Sequence, residues 1–252
     1  MSGVTEEQGR SAIAAFRVPY LNTDLISARM LKDLKANAAG VEVSVELGFA
    51  CGDFPQRLCA ELTRHLETAL GGRVNVHVTW KVTTHAVQKG VKPYQNIKNT
   101  IAVASGKGGV GKSTTAVNLA LALAADGAAV GILDADIYGP SQPRMLGQRG
   151  KADVKSRDGR SMDPITLHGI QSMSIGYLID EESPMIWRGP MVTQALEQLL
   201  RDTNWHALDY LVIDLPPGTG DTQLTLAQKI PVTGALIVTT PQDIALLDAR
   251  KG

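Results

Sequence analysis

Two stretches within the first eighty residues alternate apolar and polar side chains, and a helical repeat lies between them. Valine or leucine recurs at every second position over residues 41–47 and 74–78, the period expected of half-buried strands. Between them, leucine recurs every fourth residue from Leu58 to Leu70, which predicts one amphipathic helix after Pro55. We therefore predict a small α+β domain.

The boundaries of this domain also have sequence signals. The segment Thr5–Gln8 has the spacing of a capping box and predicts a short helix that extends to about Phe16. Residues 84–96 are poor in apolar side chains and contain glycine and proline beside lysines, the composition of a linker. The first domain is therefore predicted to occupy residues 1–83.

After the linker, short apolar runs separated by a helical segment replace this pattern. Residues 97–104 and 130–133 are apolar and flank a helical segment over residues 112–125, which together predict a βαβ unit. The runs at 211–213 and 235–238 are short and bounded by polar, proline or glycine residues, as expected of strands buried on both faces. The sequence thus predicts an α/β fold, a mostly parallel sheet with helices on both faces.

Composition narrows the classes of partner. The 252 residues carry 25 acidic and 25 basic side chains, so no net field favours nucleic acid or an anionic membrane. Cysteine occurs only twice, which excludes a disulfide framework and favours a reducing compartment. No apolar run reaches the roughly 18–20 residues that cross a bilayer, and the first residues contain no signal-peptide core. We expect a cytoplasmic protein that binds neither nucleic acid nor membrane.

A glycine-rich segment, Gly106–Ser113, fits the P-loop pattern G-x-x-x-x-G-K-[ST] and lies between a predicted strand and a predicted helix. Its glycines allow successive backbone N–H groups to turn around a phosphate at a helix N-terminus. Lys112 is expected to reach the β- and γ-phosphates, and Ser113 to give its hydroxyl to Mg²⁺. We therefore predict a P-loop ATPase domain over residues 97–252, with ATP and Mg²⁺ as cofactors. The predicted ATP-binding residues are Gly106, Lys107, Gly108, Gly109, Val110, Gly111, Lys112, Ser113, Thr114 and Gly218.

Three aspartates follow predicted strands, at the strand ends where ligands bind in open α/β sheets. Asp134 and Asp136 alternate along extended chain, so both can face the metal and the γ-phosphate. Asp214 ends an apolar run, the Walker B pattern, and is expected to hold Mg²⁺ through water. The following loop can offer the backbone N–H of Gly218 to the γ-phosphate, so we interpret residues 216–221 as switch II.

A second lysine, Lys107, lies directly after the first glycine of the loop. In this respect Gly106–Thr114 resembles the deviant P-loop of the MinD, ArsA and nitrogenase iron protein class. The resemblance implies that Lys107 reaches across a dimer interface to the partner's nucleotide and acts in catalysis with Lys112 and Asp136. It also implies that Asp134 supports the Mg²⁺ water shell, whereas Asp136 positions or activates the attacking water.

Within that class, four longer segments resemble the Mrp/ApbC group of iron–sulfur cluster carrier ATPases. These segments are residues 136–143, 186–191, 209–221 and 238–252. Residues 1–83 resemble, less specifically, the small domain that precedes the ATPase in many bacterial members and recurs in PaaD-type assembly factors. The resemblance implies a homodimer that hydrolyses ATP slowly and transfers a [4Fe–4S] cluster, with apo iron–sulfur proteins and cluster scaffold proteins as partners.

The end of the chain departs from the family pattern. Family members continue with further strands, adenine-contacting residues and a Cys-x-x-Cys pair that holds the bridging cluster, and no such pair occurs in this sequence. We therefore expect a fragment of a longer protein. Cys59 lies beside the leucine stripe and is expected to be a core residue, whereas Cys51 precedes a helix N-terminus, where a thiolate is favoured. Cys51 is thus the one minor candidate for cluster chemistry, and no cluster ligand is assigned.

Two other functions are compatible with the same P-loop. One is an ATP-dependent dimerisation switch of the MinD/ParA type, against which stands the lack of a basic amphipathic helix at the end of the sequence. The other is a reductase component like the nitrogenase iron protein, which needs cluster cysteines near switch II. The sequence has no cysteine there.

Overall fold

The computed structural model describes most of the chain, which divides into two compact units, Met1–Thr83 and Thr84–Gly252. The described residues are 4–37, 40–88, 90–154, 161–178, 189–218 and 228–250. Across these ranges, no helix combines the length and the apolar character needed to span a membrane.

The first unit is a three-stranded sheet with two helices. Its elements are α1 (Glu6–Ala15), β1 (Leu31–Asn37), β2 (Gly40–Leu47), α2 (Phe54–Leu70) and β3 (Val74–Trp80). Strand β2 lies in the centre, antiparallel to β1 and parallel to β3. The parallel pair is joined through α2, as a parallel connection requires a crossover.

Local signals account for most of this unit. The Thr5 hydroxyl accepts a hydrogen bond from the Gln8 backbone N–H at 3.2 Å, and the Thr5 N–H donates to Gln8 Oε1 at 2.9 Å, so the predicted capping box is confirmed. Helix α2 ends at Gly71, which has a φ of 64°, a conformation that favours glycine. Leu58, Leu62 and Leu66 of the α2 leucine stripe are fully buried in the core, as their spacing predicts, whereas Leu70 at the end of the helix is half-buried.

Strand β1 is absent from the sequence-based prediction. Its only apolar side chains are Leu31, Leu34 and Ala36, all half-buried, and its other positions are exposed. The register between β1 and β2 shifts between Leu31 and Asp33, which places a bulge there. A bulge inserts a residue into the ladder, so the period-two pattern is lost at this edge strand.

The second unit is a six-stranded sheet with helices. Its elements are β4 (Ile97–Ala104), α3 (Lys112–Ala125), β5 (Val130–Asp134), α4 (Gln142–Met145), β6 (Ile165–Leu167), β7 (Ile170–Ser174), a 3₁₀ turn (Ile175–Tyr177), α5 (Gly189–Asp202), β8 (Leu208–Asp214), β9 (Gly234–Ile237) and α6 (Asp243–Ala249). The strand order is β6-β7-β5-β8-β4-β9, and β6 alone is antiparallel to its neighbour.

Helices cover both faces of this sheet. Leu211 and Ile213 of β8 belong to a core that includes Leu196 and Leu200 of α5. Val212 lies between them and therefore points to the opposite face, where α3 packs against β4, β5 and β8. The predicted fold class, a mostly parallel sheet with helices on both faces, is confirmed.

One predicted strand differs in its surroundings. The run at residues 235–238 was expected to be buried on both faces, but every residue of β9 is exposed. Leu236 is 39% and Ile237 46% exposed. The reason is topological, because β9 pairs with β4 at the edge of the described sheet. The prediction of burial is therefore wrong for β9, although the prediction of a strand is right.

The segment predicted as a linker has no helix or strand in its described part, yet it is packed against the second unit. The His85 backbone N–H donates to Asn99 Oδ1 at 3.0 Å, and Gln88 Oε1 accepts the Val232 N–H at 2.8 Å. Tyr94 packs against the core of the same unit. These contacts explain why residues 84–96 group with the second unit.

Candidate functional site

The predicted site residues of the second unit meet where three neighbouring strands end. Val103 of β4 and Asp134 of β5 are both register partners of Asp214 in β8. The loop that follows β4 and the two aspartates therefore lie at one edge of the sheet, the edge at which parallel sheets bind ligands.

The glycine-rich loop Gly106–Gly111 adopts the backbone conformations that its glycines allow. Gly109 and Gly111 have φ values of 78° and 89°, a region that side chains with a Cβ rarely enter. Gly111 immediately precedes α3, so no side chain caps that helix, and its first turn contains no acidic residue. By contrast, α1 has a Thr5 cap and two glutamates in its first turn. The N-terminus of α3 therefore leaves its positive end open to an external anion.

Lys112 forms a buried ion pair with the Walker B aspartate. Its Nζ lies 2.5 Å from Asp214 Oδ1 and 3.2 Å from Ser113 Oγ. The Lys112 side chain is 6% exposed and that of Asp214 is fully buried. An ammonium thus lies between the two groups predicted to bind Mg²⁺.

A residue that the sequence did not single out, Gln142, completes this cluster. Its Nε2 donates to Asp214 Oδ2 at 2.8 Å and to the Ser113 carbonyl at 3.0 Å. Gln142 is fully buried at the start of α4. It lies inside the family-like segment 136–143. No sequence spacing marks a single glutamine as functional, so the sequence alone could not identify it.

Asp134 organises the loop between β5 and α4. Its Oδ2 accepts the N–H groups of Ser141 and Gln142 at 2.9 and 3.0 Å and the Ser174 hydroxyl at 3.3 Å. Its Oδ1 accepts the Asp136 N–H at 3.1 Å. Burial, together with the nearby charge of Asp214, raises the pKa of Asp134 to about 7, although these hydrogen bonds oppose the shift. Support of a Mg²⁺ water shell by Asp134 stays a prediction, since both of its oxygens are engaged in the loop.

Asp136 is half-buried beside the same cluster. Its Oδ1 accepts the Gly139 N–H at 3.3 Å. Burial raises the pKa of Asp136, and the charge of Lys112 opposes that rise. The structure therefore brings Lys112, Asp134, Asp136 and Asp214 together.

Other predicted contacts lie around this cluster. Lys107, Gly108 and Thr114 are exposed, while Val110 is half-buried. The Gly218 N–H, predicted to meet a γ-phosphate, donates to the Ser105 carbonyl at 2.9 Å, so it must leave that carbonyl to bind phosphate. Residues 219–221 of the predicted switch II and residues 186–188 of a family-like segment lie outside the described residues.

Helix α6 lies against the start of the loop. A Cβ on Gly106 would fall 2.9 Å from Asp248 Cβ and 3.0 Å from the Asp248 carbonyl carbon. This approach is too close for any side chain, so glycine is required here for packing as well as for phosphate access.

The two cysteines belong to the core of the first unit. Cys51 is buried, and its carbonyl accepts the Phe54 N–H at 2.9 Å near the start of α2. The Cys59 thiol donates to the Val76 carbonyl at 3.2 Å, which fits the core role predicted for it. Among the described residues, no three His, Cys, Asp or Glu side chains are close enough to hold a metal ion together.

Comparisons with known proteins place these features in context. A family model described as ParA, NUBPL iron-transfer P-loop NTPase, matches residues 96–252. An iron–sulfur cluster carrier protein from Haemophilus influenzae is 49% identical over 248 residues, which cover 98% of this chain and 67% of that protein. The iron–sulfur cluster transfer protein NUBPL of Mus musculus is 57% identical over 163 residues, which cover 64% of this chain and 50% of that protein.

A solved structure also resembles part of this chain. It is a nucleotide-binding protein from Archaeoglobus fulgidus in complex with ADP, 40% identical, with a TM-score of 0.51, over 62% of this chain and 60% of that one. The chain spans about two thirds of the length of the bacterial carrier proteins that it matches.

Proposed function

This chain belongs to the NUBPL-type iron-transfer P-loop NTPases of the ParA family, and we propose that it binds ATP with Mg²⁺ at Gly106–Thr114 and uses that nucleotide in carrying iron–sulfur clusters. The family resemblance inferred from the sequence is confirmed by these matches. The nucleotide chemistry, the metal, the cluster type and the partners are our proposals.

The position of Lys112 carries the proposal for ATP. Its ammonium lies at the open N-terminus of α3 and forms an ion pair with the buried carboxylate of Asp214, a group of the same site. A β- and γ-phosphate group can take over that ammonium, while backbone N–H groups of Gly106–Gly111 surround the anion. Thr114, in the first turn of α3, is suited to approach the α-phosphate.

The donor set fits Mg²⁺. The Asp214 carboxylate and the Ser113 hydroxyl both lie within hydrogen-bond distance of the Lys112 ammonium, so two oxygen groups suited to Mg²⁺ meet at one place. Mg²⁺ keeps several waters and usually takes few protein ligands together with phosphate oxygens. Ser113 would bind it directly and Asp214 through water, and the ion would neutralise charge on the phosphates.

We propose that the chain hydrolyses ATP slowly, with Asp136 as the residue that orients the attacking water. Its carboxylate is half-buried and accepts the Gly139 N–H at Oδ1, and the charge of Lys112 acts on it. Lys112 would compensate charge on the transferred phosphoryl group. Lys107 is exposed on the loop, as a role toward the nucleotide of a second copy in a homodimer would require.

The cargo is proposed to be a [4Fe–4S] cluster, received from scaffold proteins and delivered to apo iron–sulfur proteins. Support comes from relatives that are named as cluster carrier and cluster transfer proteins. Residues 84–252 contain no cysteine, so this unit would contribute the nucleotide-dependent step and not thiolate ligands.

Calorimetric titration and single-turnover hydrolysis test the nucleotide proposal. Lys112→Ala should bind ATP·Mg²⁺ at least about 100-fold more weakly, because the phosphate charge loses its compensation. Asp136→Asn should bind with nearly parental affinity but hydrolyse about 100-fold more slowly or worse, because water orientation acts mainly in the transition state. Lys151→Ala, an exposed lysine outside the site, is the matched control. Parental ATP affinity in Lys112→Ala would reject the site.

A further inference from the structure

Asp214 is held by two donors, one on each of its carboxylate oxygens. Lys112 Nζ contacts its Oδ1, and Gln142 Nε2 contacts its Oδ2. Each donor also contacts Ser113, Lys112 at the hydroxyl and Gln142 at the backbone carbonyl. Ser113 and Asp214, the two residues predicted to hold Mg²⁺, are thus both hydrogen-bonded to one ammonium and one carboxamide.

These two donors respond differently to a nucleotide. If ATP binds as proposed, Lys112 turns to the phosphates and releases Asp214 Oδ1. Gln142 is a neutral amide, which phosphate charge attracts far less, and it is fixed by its own backbone N–H on Asp134 Oδ2. The hydrogen bond from Gln142 to Oδ2 would then keep Asp214 in its orientation, and Oδ1 would be available to a water molecule of the metal.

The orientation of the Gln142 carboxamide follows from its partners. Asp214 Oδ2 and the Ser113 carbonyl are both acceptors, so the nitrogen must face them and Oε1 must point elsewhere. Oε1 is buried and has no hydrogen-bond partner within the described residues. A buried acceptor without a hydrogen-bond donor destabilises a fold unless a ligand or a water molecule donates the hydrogen bond.

We infer that Gln142 is a positioning residue of the Mg²⁺ site, whose Nε2 holds the Asp214 carboxylate in the orientation in which it would bind the metal through water. The inference rests on the proposed function and assigns a role to a residue beyond the P-loop and the Walker B aspartate. Groups that orient metal ligands in this way typically change metal affinity about 10- to 100-fold when removed.

The test separates metal binding from nucleotide binding. A fluorescent ADP analogue is titrated into the 252-residue chain in the presence of a chelator, and Mg²⁺ is then titrated into the complex. Gln142→Met keeps the side-chain length but removes both polar atoms. Its Mg²⁺-free nucleotide affinity should stay within about twofold of the parent, whereas half-saturation with Mg²⁺ should require at least about 10-fold more metal. Gln148→Met, in the loop that follows α4, is the matched control and should titrate like the parent.

The experiment distinguishes a failure of this inference from a failure of the proposed nucleotide site. A parent chain without affinity for the analogue would reject the nucleotide site itself, whereas parental Mg²⁺ dependence in Gln142→Met would reject only the role of Gln142. An equal loss of binding with and without Mg²⁺ would indicate a purely structural residue and would also overturn the inference.

A measurement on the parent chain avoids dependence on a folded variant. The side-chain amide ¹⁵N–¹H resonances of Gln142 and Gln148 are followed while Mg²⁺ is added to the nucleotide-bound protein. The Gln142 signal should shift with the metal, and that of Gln148 should not. A Gln142 amide that is insensitive to Mg²⁺ would refute the inference.

Discussion

Lys112 neutralises a protein carboxylate in the free chain and is proposed to neutralise phosphate in the bound one. Its partner Asp214 is fully buried, and a buried carboxylate without a cation is strongly disfavoured. If ATP binds as proposed, it would exchange one ion pair for another, and Mg²⁺ would replace the ammonium near Asp214. The interactions that prepare the site for a charged ligand also stabilise the fold.

We predict that Lys112→Met destabilises the nucleotide-free chain by about 3–5 kcal/mol, because it leaves Asp214 buried without a cation. Adding Asp214→Asn should recover most of that loss, since no uncompensated charge then remains. Urea unfolding of the parent, both single variants and the double variant gives the four free energies that are needed. A fully additive double variant would contradict the ion pair.

The raised pKa of Asp134 predicts that the free energy of unfolding of the second unit depends on pH when nucleotide and metal are absent. Its folded-state pKa is raised from the ordinary value of 3.8 to about 7, so the protonated form favours the folded state. This stabilisation is complete below pH 4 and is lost as the pH rises through 7.

The free energy of unfolding should therefore fall between pH 4 and pH 8 by up to about 4 kcal/mol more in the parent than in Asp134→Asn, which cannot ionise. Chemical denaturation at several pH values measures this difference. Asp153→Asn, an exposed aspartate, should keep the parental slope. Parallel curves for the parent and Asp134→Asn would disprove the raised pKa.

At the scale of elements, helix α6 and the phosphate loop form one contact through Gly106. A Cβ on Gly106 would lie 2.9 Å from Asp248 Cβ and 3.0 Å from its carbonyl carbon, so an added side chain would push the helix away from the loop. Gly109, in contrast, has open space around it and needs glycine for its positive φ of 78°. The two glycines therefore fail in different ways when substituted.

Gly106→Ala should displace α6 and cost about 1–3 kcal/mol of stability, because a small side chain is forced into a packed contact. Gly109→Ala should cost a similar amount, about 1–2 kcal/mol, through backbone strain in the loop alone. Hydrogen exchange distinguishes the two variants. Faster exchange in the 243–249 helix is expected for Gly106→Ala only, and protection of that helix at the parental level would argue against the contact.

For the whole molecule, the two units contain different chemical groups. The nucleotide cluster is built from residues of the second unit, and both cysteines lie in the first. Two cysteines per chain give a homodimer four thiols, and in each chain Cys51 is buried and Cys59 is hydrogen-bonded within a core. Thiolates are the usual ligands of iron–sulfur clusters.

The 252-residue chain should therefore not hold a stable bridging [4Fe–4S] cluster, although it should bind ATP·Mg²⁺. Anaerobic reconstitution followed by iron, sulfide and absorbance measurements is the test. Fusing a C-terminal segment that contains Cys-x-x-Cys should restore cluster binding, and alanine at those two cysteines should abolish it. A full cluster on the unmodified chain that is lost in Cys51→Ser would make Cys51 a ligand.

The sequence by itself determined the elements whose signals are local. The alternation at 41–47, the four-residue leucine repeat of α2 and the capping box at Thr5 each reflect a backbone period or a hydrogen bond within a few residues. The spacing of Gly106–Ser113 likewise indicated a phosphate loop, because glycine adopts the positive φ seen at Gly109 and Gly111 without the steric penalty of a side chain.

Tertiary structure alone decided the features that join distant parts of the chain. Lys112 and Gln142 meet Asp214 across 102 and 72 residues of sequence, and no local period encodes a contact of that range. The pKa of Asp134 depends on burial by several elements, and the exposure of β9 depends on its place at the sheet edge. The site's chemical groups are therefore readable from sequence, whereas their partners, burial and charge balance arise only when the strands align.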